Sequence, residues 1–302
     1  MNILRKIGFL VLSVTILSLP NGYSQEQVES VSTQVEPVTN YYVQFTGGLN
    51  FALYRDYATS PLFYRGYGIH LLSARLKRSD IRERSFEVDF GFNSLSAHIP
   101  ESNYIQPYAG STMFQLNIRY LRLWKLNSLS NPKNNVKIGG NVYVTQNFRN
   151  NPSLQNNSLG LENISNLMVS GQITRDISRK EARKLNLWLI KPTLKPVKRD
   201  LRFQFNAGIL NFNYRPGYAY SYNEEIKGTE GSLMSEVFSG YKWSLNGWRF
   251  NTELEYITYL PNGNARSWSY IWEAANAPGR HESFQMASHQ IRYTYYFQTK
   301  KR

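Results

Sequence analysis

The stretch Ser85–Asn93, SFEVDFGFN, sets Phe86, Val88, Phe90 and Phe92 at alternate positions, with Glu87, Asp89, Gly91 and Asn93 between them. Side chains along a β-strand point to opposite faces with a period of two. One face of this segment is therefore apolar and bulky, and the other carries two carboxylates. Such a strand suits a soluble sheet with its aromatic face on a dry core. It equally suits a barrel wall with that face on lipid, and the rest of the chain decides between the two.

The same alternation recurs from Tyr41 onward, in segments about as long as a tilted membrane-crossing strand. Ten can be parsed, at about 41–54, 64–77, 84–97, 111–125, 135–148, 163–176, 200–213, 232–245, 248–260 and 284–298. The first opposes Tyr41, Val43, Phe45, Leu49, Phe51 and Leu53 to Gln44, Thr46, Gly48 and Asn50, and the fifth opposes Val136, Ile138, Val142 and Val144 to Lys137, Asn141, Tyr143 and Thr145. The second is ambiguous in phase, with a bulge expected near His70–Leu72. Aromatics reach 15% of the chain while the mean hydropathy is −0.47, because alternation hides an apolar face from window averages.

In a soluble sandwich the apolar faces would meet in one dry core, and that core would have to hold an unusual load of Tyr and Trp at strand ends. In a barrel crossing lipid, aromatics at strand ends form interfacial girdles. Trp124, Trp243, Trp248 and Tyr259 fall at such ends. The expected fold is all-β: a transmembrane antiparallel up-and-down β-barrel of about ten strands.

The N-terminus agrees with export. A basic start (MNILRK), an apolar run (IGFLVLSVTILSL) and a polar exit with Gly22 and Ser24 before Gln25 read as a signal peptide over residues 1–24. Residues 25–40 read as a flexible periplasmic leader, 41–298 as the barrel and 299–302 as a basic tail. The chain contains no Cys, so no disulfide holds the fold. Removing Arg5 and Lys6 with the signal takes two charges off +14 and leaves +12.

With these features the chain resembles the outer-membrane β-barrel proteins of Gram-negative bacteria. The closing segment IRYTYYF looks like their C-terminal strand signal, although QTKKR follows Phe297 where those proteins usually end on the aromatic. The resemblance is architectural and reaches no narrower family. It implies an outer-membrane location with both termini periplasmic. Outer loops would then fall at about 55–63, 98–110, 149–162, 214–231 and 261–283, with inner turns at 78–83, 126–134, 177–199 and the tight Leu245–Gly247. The length of 177–199 opens an alternative of twelve strands, adding KLNLWLIKPTL and Ala265–Ala274, the latter entered by the turn PNGN. Pro192 and Pro196 argue against the first of these.

Charge is uneven along the chain. Arg175 to Arg202 holds ten bases and three acids, all near the inner end in this topology. Arg179, Lys180, Arg183, Lys184, Trp188, Lys191, Lys195, Lys198 and Arg199 read as a patch for a periplasmic or outer-membrane protein partner. Lipid is the other expected partner. A basic chain raises nucleic acid, but export and the lack of any nucleic-acid motif exclude it.

No metal, nucleotide or nucleophile motif occurs, and no cofactor is expected. His98, close to Glu101 and Ser102, and His281, followed by Glu282 and Ser283, are weak candidates for general-base work at the outer rim. The polar strand faces say more. They gather Glu87, Asp89, Glu236, Glu253 and Glu255 against Arg119, Arg202, Lys242, Arg249 and Arg292. A ten-strand lumen is narrow, so these charges must pair or stay hydrated, and Arg119 is the expected partner of Glu87 and Asp89. The expected role is structural or that of a complex subunit, not enzymatic, with the lumen closed by ion pairs. A small diffusion pore, or a barrel-embedded hydrolase acting on lipid or peptide, stays as the alternative.

Overall fold

The computed structural model describes residues 38–98, 109–179, 181–184, 193–194, 196–215, 241–244, 246–278 and 283–301. Ten long strands make the wall: β1 (Asn40–Asp56), β2 (Tyr64–Arg78), β3 (Arg82–Ser96), β4 (Gly110–Lys125), β5 (Asn134–Asn150), β6 (Leu159–Asp176), β7 (Arg199–Tyr214), β8 (Trp248–Tyr259), β9 (Ala265–Ala277) and β10 (Phe284–Lys301). Each pairs antiparallel with its neighbour in sequence, and β10 returns to pair with β1 from Asn40↔Lys301 to Asp56↔Phe284. The sheet is a closed antiparallel barrel of ten strands.

Alternation sets the two faces. Phe45, Leu49, Phe86, Phe90, Phe92, Phe114, Trp268, Ile291 and Phe297 are exposed on the outside. Gln44, Thr46, Asn50, Glu87, Asp89, Asn93, Asn117, Gln204, Asn206 and Thr294 are buried inside. This is the inverse of a soluble protein, and the apolar exterior is what a barrel wall in hydrocarbon requires. No helix among the described residues is long and apolar enough to cross a membrane.

Short turns gather at one end with the start of β1 and the end of β10. Between β2 and β3, Ser79 N–H donates to Arg82 O at 2.8 Å. Between β4 and β5, Asn131 Oδ1 accepts from the backbone of Lys133 and Asn134 at 3.0 and 2.8 Å. Between β8 and β9 lies Pro-Asn-Gly-Asn, where Gly263 takes φ +85°, a conformation that suits glycine.

Several expectations need correction. Residues 241–244 and 248–259 do not form a hairpin around Asn246-Gly247, and the rest of the expected strand 232–245 lies outside the described residues. The short strand Tyr241–Ser244 pairs with Asn211–Tyr214 of β7, and β8 pairs with Arg199–Ala207 of the same strand in the same sense. Asn246 and Gly247 therefore lie within one descending run of chain. From Ser244↔Asn211 to Phe250↔Ala207 the wall carries two extra residues on the β8 side. A Cβ at Gly247 would meet the Asn276 backbone carbonyl at 2.8 Å and the Asn211 side chain beside it. The count of ten is restored by β9, which occupies Ala265–Ala277 where the ten-strand parse has a loop. Of KLNLWLIKPTL, the described residues contain only Thr193–Leu194 as strand, paired with Arg183–Lys184 outside the barrel sheet.

β2 runs without a bulge, in unbroken register with both neighbours. Its phase was ambiguous because Leu72 and Leu76 face the lumen while Ile69 and Leu71 flank them on the outside or beside it. The basic end is part of the wall, since Lys300 and Lys301 pair with Tyr41 and Asn40. Residues 1–37, including the expected signal peptide and most of the leader, lie outside the described residues.

If the exterior faces lipid, the cost of a charge depends on depth. Phe90→Arg, near the middle of β3, is expected to destabilise by about 2–4 kcal/mol, and Trp124→Arg, at the turn end of β4, by about 0–1 kcal/mol. Equilibrium unfolding in guanidinium from lipid vesicles measures both. Equal costs at the two depths would contradict a lipid-facing wall.

Candidate functional site

The lumen is filled by three tiers of charged side chains. In the lower tier, at the turn end, Glu83 accepts from Arg78 Nε at 3.0 Å, Arg202 Nη1 at 3.2 Å and Lys137 Nζ at 3.3 Å. Arg202 Nη2 reaches Glu255 at 2.7 Å and Glu253 at 3.1 Å. Arg119 Nη2 pairs with Glu87 at 2.6 Å and approaches Glu253 at 3.8 Å. Ser267 Oγ and Tyr296 Oη donate to Glu255, and Ser85 Oγ donates to Glu87.

The middle tier has two centres. Asp89 meets Arg292 Nη2 at 2.8 Å, His70 Nδ1 at 3.0 Å and Asn117 Nδ2 at 3.3 Å. Arg249, 0% exposed, donates to Glu273 at 2.6 Å and to Thr145 Oγ1 at 2.8 Å. Its guanidinium lies 3.7 Å over the Tyr143 ring. In the upper tier Asp56 accepts from Arg149 and Arg215, each at 2.5 Å, and Arg149 also reaches Glu162 at 2.8 Å. Beside them Tyr54 stacks on Tyr64 and Phe284, with centroids 5.0 and 5.8 Å apart. An apolar cluster with Met113, Ile164 and Met286 surrounds these rings.

Two cavities, of about 30 and 20 Å³, lie between these side chains and share Leu72, Glu87, Arg119 and Arg292 in their linings. Each is of the size that holds a water or two. At the turn end the lumen widens into a vestibule of about 500 Å³, with Arg78, Glu83, Lys137, Lys198, Asp200 and Tyr259 among its lining. On its rim, Lys125 Nζ donates to Asp80 at 2.5 Å, and this bond holds the Asp80 carboxyl below the usual carboxylate range. The contribution of that pair is small, since Asp80 is 60% exposed.

Of the charges that sequence assigns to the lumen, Glu87, Asp89, Arg119, Arg202, Arg249, Glu253, Glu255 and Arg292 are brought together as above. Arg119 meets Glu87, whereas Asp89 is met from across the lumen by Arg292. Glu236 lies outside the described residues, and Lys242 is placed only by its pairing with Asn213. Sequence reasoning missed Asp56, His70, Arg78, Glu83, Lys137, Arg149, Glu162, Arg215 and Glu273 as members. Glu83 could have been found by carrying the phase of Glu87 back through Ser85. Arg149 and Glu162 lie one residue beyond the expected strand limits, and Asp56 lies two beyond.

The segment joining β6 to β7 continues their pairing past the barrel rim. Ile177 N–H donates to Arg199 O at 2.9 Å and Arg179 N–H to Val197 O at 3.3 Å, and Arg183–Lys184 pairs with Thr193–Leu194. This ribbon displays part of the basic patch. Lys198 is exposed, with its ammonium 4.8 Å over the Tyr259 ring, and Arg179 and Arg199 are half-buried. Lys180, Trp188, Lys191 and Lys195 lie outside the described residues. His98 is exposed at the loop end of the barrel, and His281 lies outside the described residues.

Removing one partner of a buried pair leaves the other charged and unpaired, at a cost of about 3–5 kcal/mol. Glu273→Ala is therefore expected to destabilise by about that much, and Arg249→Met combined with Glu273→Leu to recover most of the loss. A double-mutant cycle on unfolding in lipid vesicles measures the coupling. Additive losses would show that the two side chains do not act as a pair.

No protein family and no curated protein matches the chain. Solved structures do match. One is the outer membrane protease OmpT from Escherichia coli, 6% identical, covering 90% of this chain and 100% of that one at a TM-score of 0.42. A second is the transport unit of the autotransporter AIDA-I from Escherichia coli, 8% identical, covering 94% and 97% at a TM-score of 0.34. A third is the TodX deltaS2S3 mutant monoaromatic hydrocarbon channel, 8% identical, covering 85% and 90% at a TM-score of 0.31.

Proposed function

We propose that the protein is a closed barrel of the outer membrane, with both termini on the periplasmic side, and that it serves as a structural or complex-forming subunit. One observation carries this reading: ion pairs cross the lumen at every tier. Asp56 of β1 is held by Arg149 of β5, Asp89 of β3 by Arg292 of β10, and Glu83 of β3 by Arg202 of β7. A conducting lumen needs a hydrated path, and these bonds occupy it. The exposed apolar and aromatic side chains of the outer wall support the lipid location. The grouping of short turns with the start of β1 and the end of β10 supports the sidedness.

The partner-facing element of this reading is the ribbon that extends β6 and β7 beyond the rim, with Arg179 and Lys198 on it. Basic side chains on this ribbon offer charge to an acidic protein surface. Two measurements test the proposal. In planar bilayers the purified protein is expected to be silent, and stepwise conductance from the unmodified chain would refute a closed lumen. Charge reversal at Arg179, Lys180, Arg183 and Lys184 is expected to release a protein that otherwise co-purifies from native membranes. Retention of that protein by the reversed variant removes the ribbon as its contact.

A further inference from the structure

The turn end of β2, β3 and β4 carries a cluster of outward-facing bases that takes no part in the lumen network. Lys77, Arg84 and Arg122 stand directly opposite one another across the three strands, and Arg75 and Arg82 flank the row. All five are exposed. Glu83, Glu87 and Asp89 of β3 point into the lumen, where Arg78, Arg119 and Arg292 hold them. Asp80, in the adjoining turn, is held by Lys125 and Asn135. Among the described residues no carboxylate pairs with any of the five bases.

Directly opposed side chains in a sheet sit about 4.5–5.5 Å apart at Cβ, and like charges in such positions repel. The row does not continue around the barrel as a general charged rim. In register it runs from Lys300 and Tyr41 through the three bases to Gly140 and Val169, where it ends. Aromatic rings lie among the bases. Arg122 lies 4.9 Å over the Trp124 ring and Lys77 5.2 Å over Tyr41, while Arg75 faces Phe86 and Arg82 faces Trp124 in register. Aromatic rings mixed with cations mark the headgroup level of a bilayer. Guanidinium groups bind phosphate oxygens in pairs, and a Lys beside them adds a point charge.

We propose that this row binds the phosphate of an anionic phospholipid headgroup in the leaflet at the turn end. The site relieves the repulsion among Lys77, Arg84 and Arg122 by placing negative charge between them. It also fixes one lipid against β2–β4, where its acyl chains follow the wall over Phe86 and Phe90. The proposal rests on the barrel lying in a bilayer.

The test is native mass spectrometry of the full chain released from detergent micelles supplied with phosphatidylglycerol or phosphatidylcholine. The unmodified protein is expected to retain phosphatidylglycerol in preference. Arg84→Gln with Arg122→Gln is expected to reduce that retention roughly tenfold. Arg175→Gln with Arg266→Gln, exposed bases on β6 and β9, should leave it unchanged. Undiminished retention in the first variant, equal loss in the second, or full displacement by millimolar inorganic phosphate would each overturn the proposal. So would displacement of the lipid by an acidic peptide, which would make the row a protein contact. Insertion into vesicles, followed for all variants, separates the two premises. A chain that inserts but shows no lipid preference sinks the site alone, and one that never inserts sinks the membrane reading.

Discussion

In hydrocarbon no water is present to satisfy a free N–H or C=O, so a sheet that crosses it must leave no edge. The pairing of β1 with β10 along their length meets that requirement, and the other features follow from it. Closing on ten strands fixes a narrow bore. Period-two alternation then sends every second side chain into that bore and the others to the outer face. Polar side chains that would be solvated on an open sheet are crowded against those of the opposite wall. Charge can be kept there only in pairs.

The pairs form an ordered set. Among the described residues, eight lumen acids (Asp56, Glu83, Glu87, Asp89, Glu162, Glu253, Glu255, Glu273) meet eight bases (Arg78, Arg119, Lys137, Arg149, Arg202, Arg215, Arg249, Arg292). Each tier balances on its own, two against two above, two against two in the middle and four against four below. Well-packed apolar residues would fill the same space at comparable or better stability, so stability alone does not account for the pattern. What ion pairs add is register. A slip of one residue in β3 would turn Glu87 and Asp89 into lipid and break their bonds to Arg119 and Arg292 together.

Much of this was legible in the sequence, because period two is a local signal. The faces of β1, β3, β4, β5 and β10 and the inward direction of Glu87, Asp89, Arg119 and Arg292 follow from alternation alone. What escaped were features set by contacts far apart in sequence. Asn246-Gly247 has the local signature of a hairpin, but β7 provides one continuous partner on both sides of it, and Gly247 serves close packing against Asn211. The cross-lumen pair of Asp89 with Arg292 depends on closure, which no local pattern encodes. β2 was obscure because a lumen this crowded accepts Leu72 and Leu76 among its polar neighbours, and the alternation fades where both faces are apolar.

The same closure explains how charge should be read in such a chain. Arg82-Glu83-Arg84 counts as a small positive excess when summed along the sequence. In the barrel Glu83 belongs to the lower tier of the lumen, while Arg82 and Arg84 are exposed on the other side of the wall. The sixteen paired lumen charges cancel, so they contribute nothing to the positive excess of the described residues. On β2–β4 three bases abut with no acid beside them, and the ribbon beyond β6 and β7 adds Arg179 and Lys198. Neutral inside and basic outside at one end, the barrel carries its positive excess on the wall of β2–β4 and on the ribbon beyond β6 and β7.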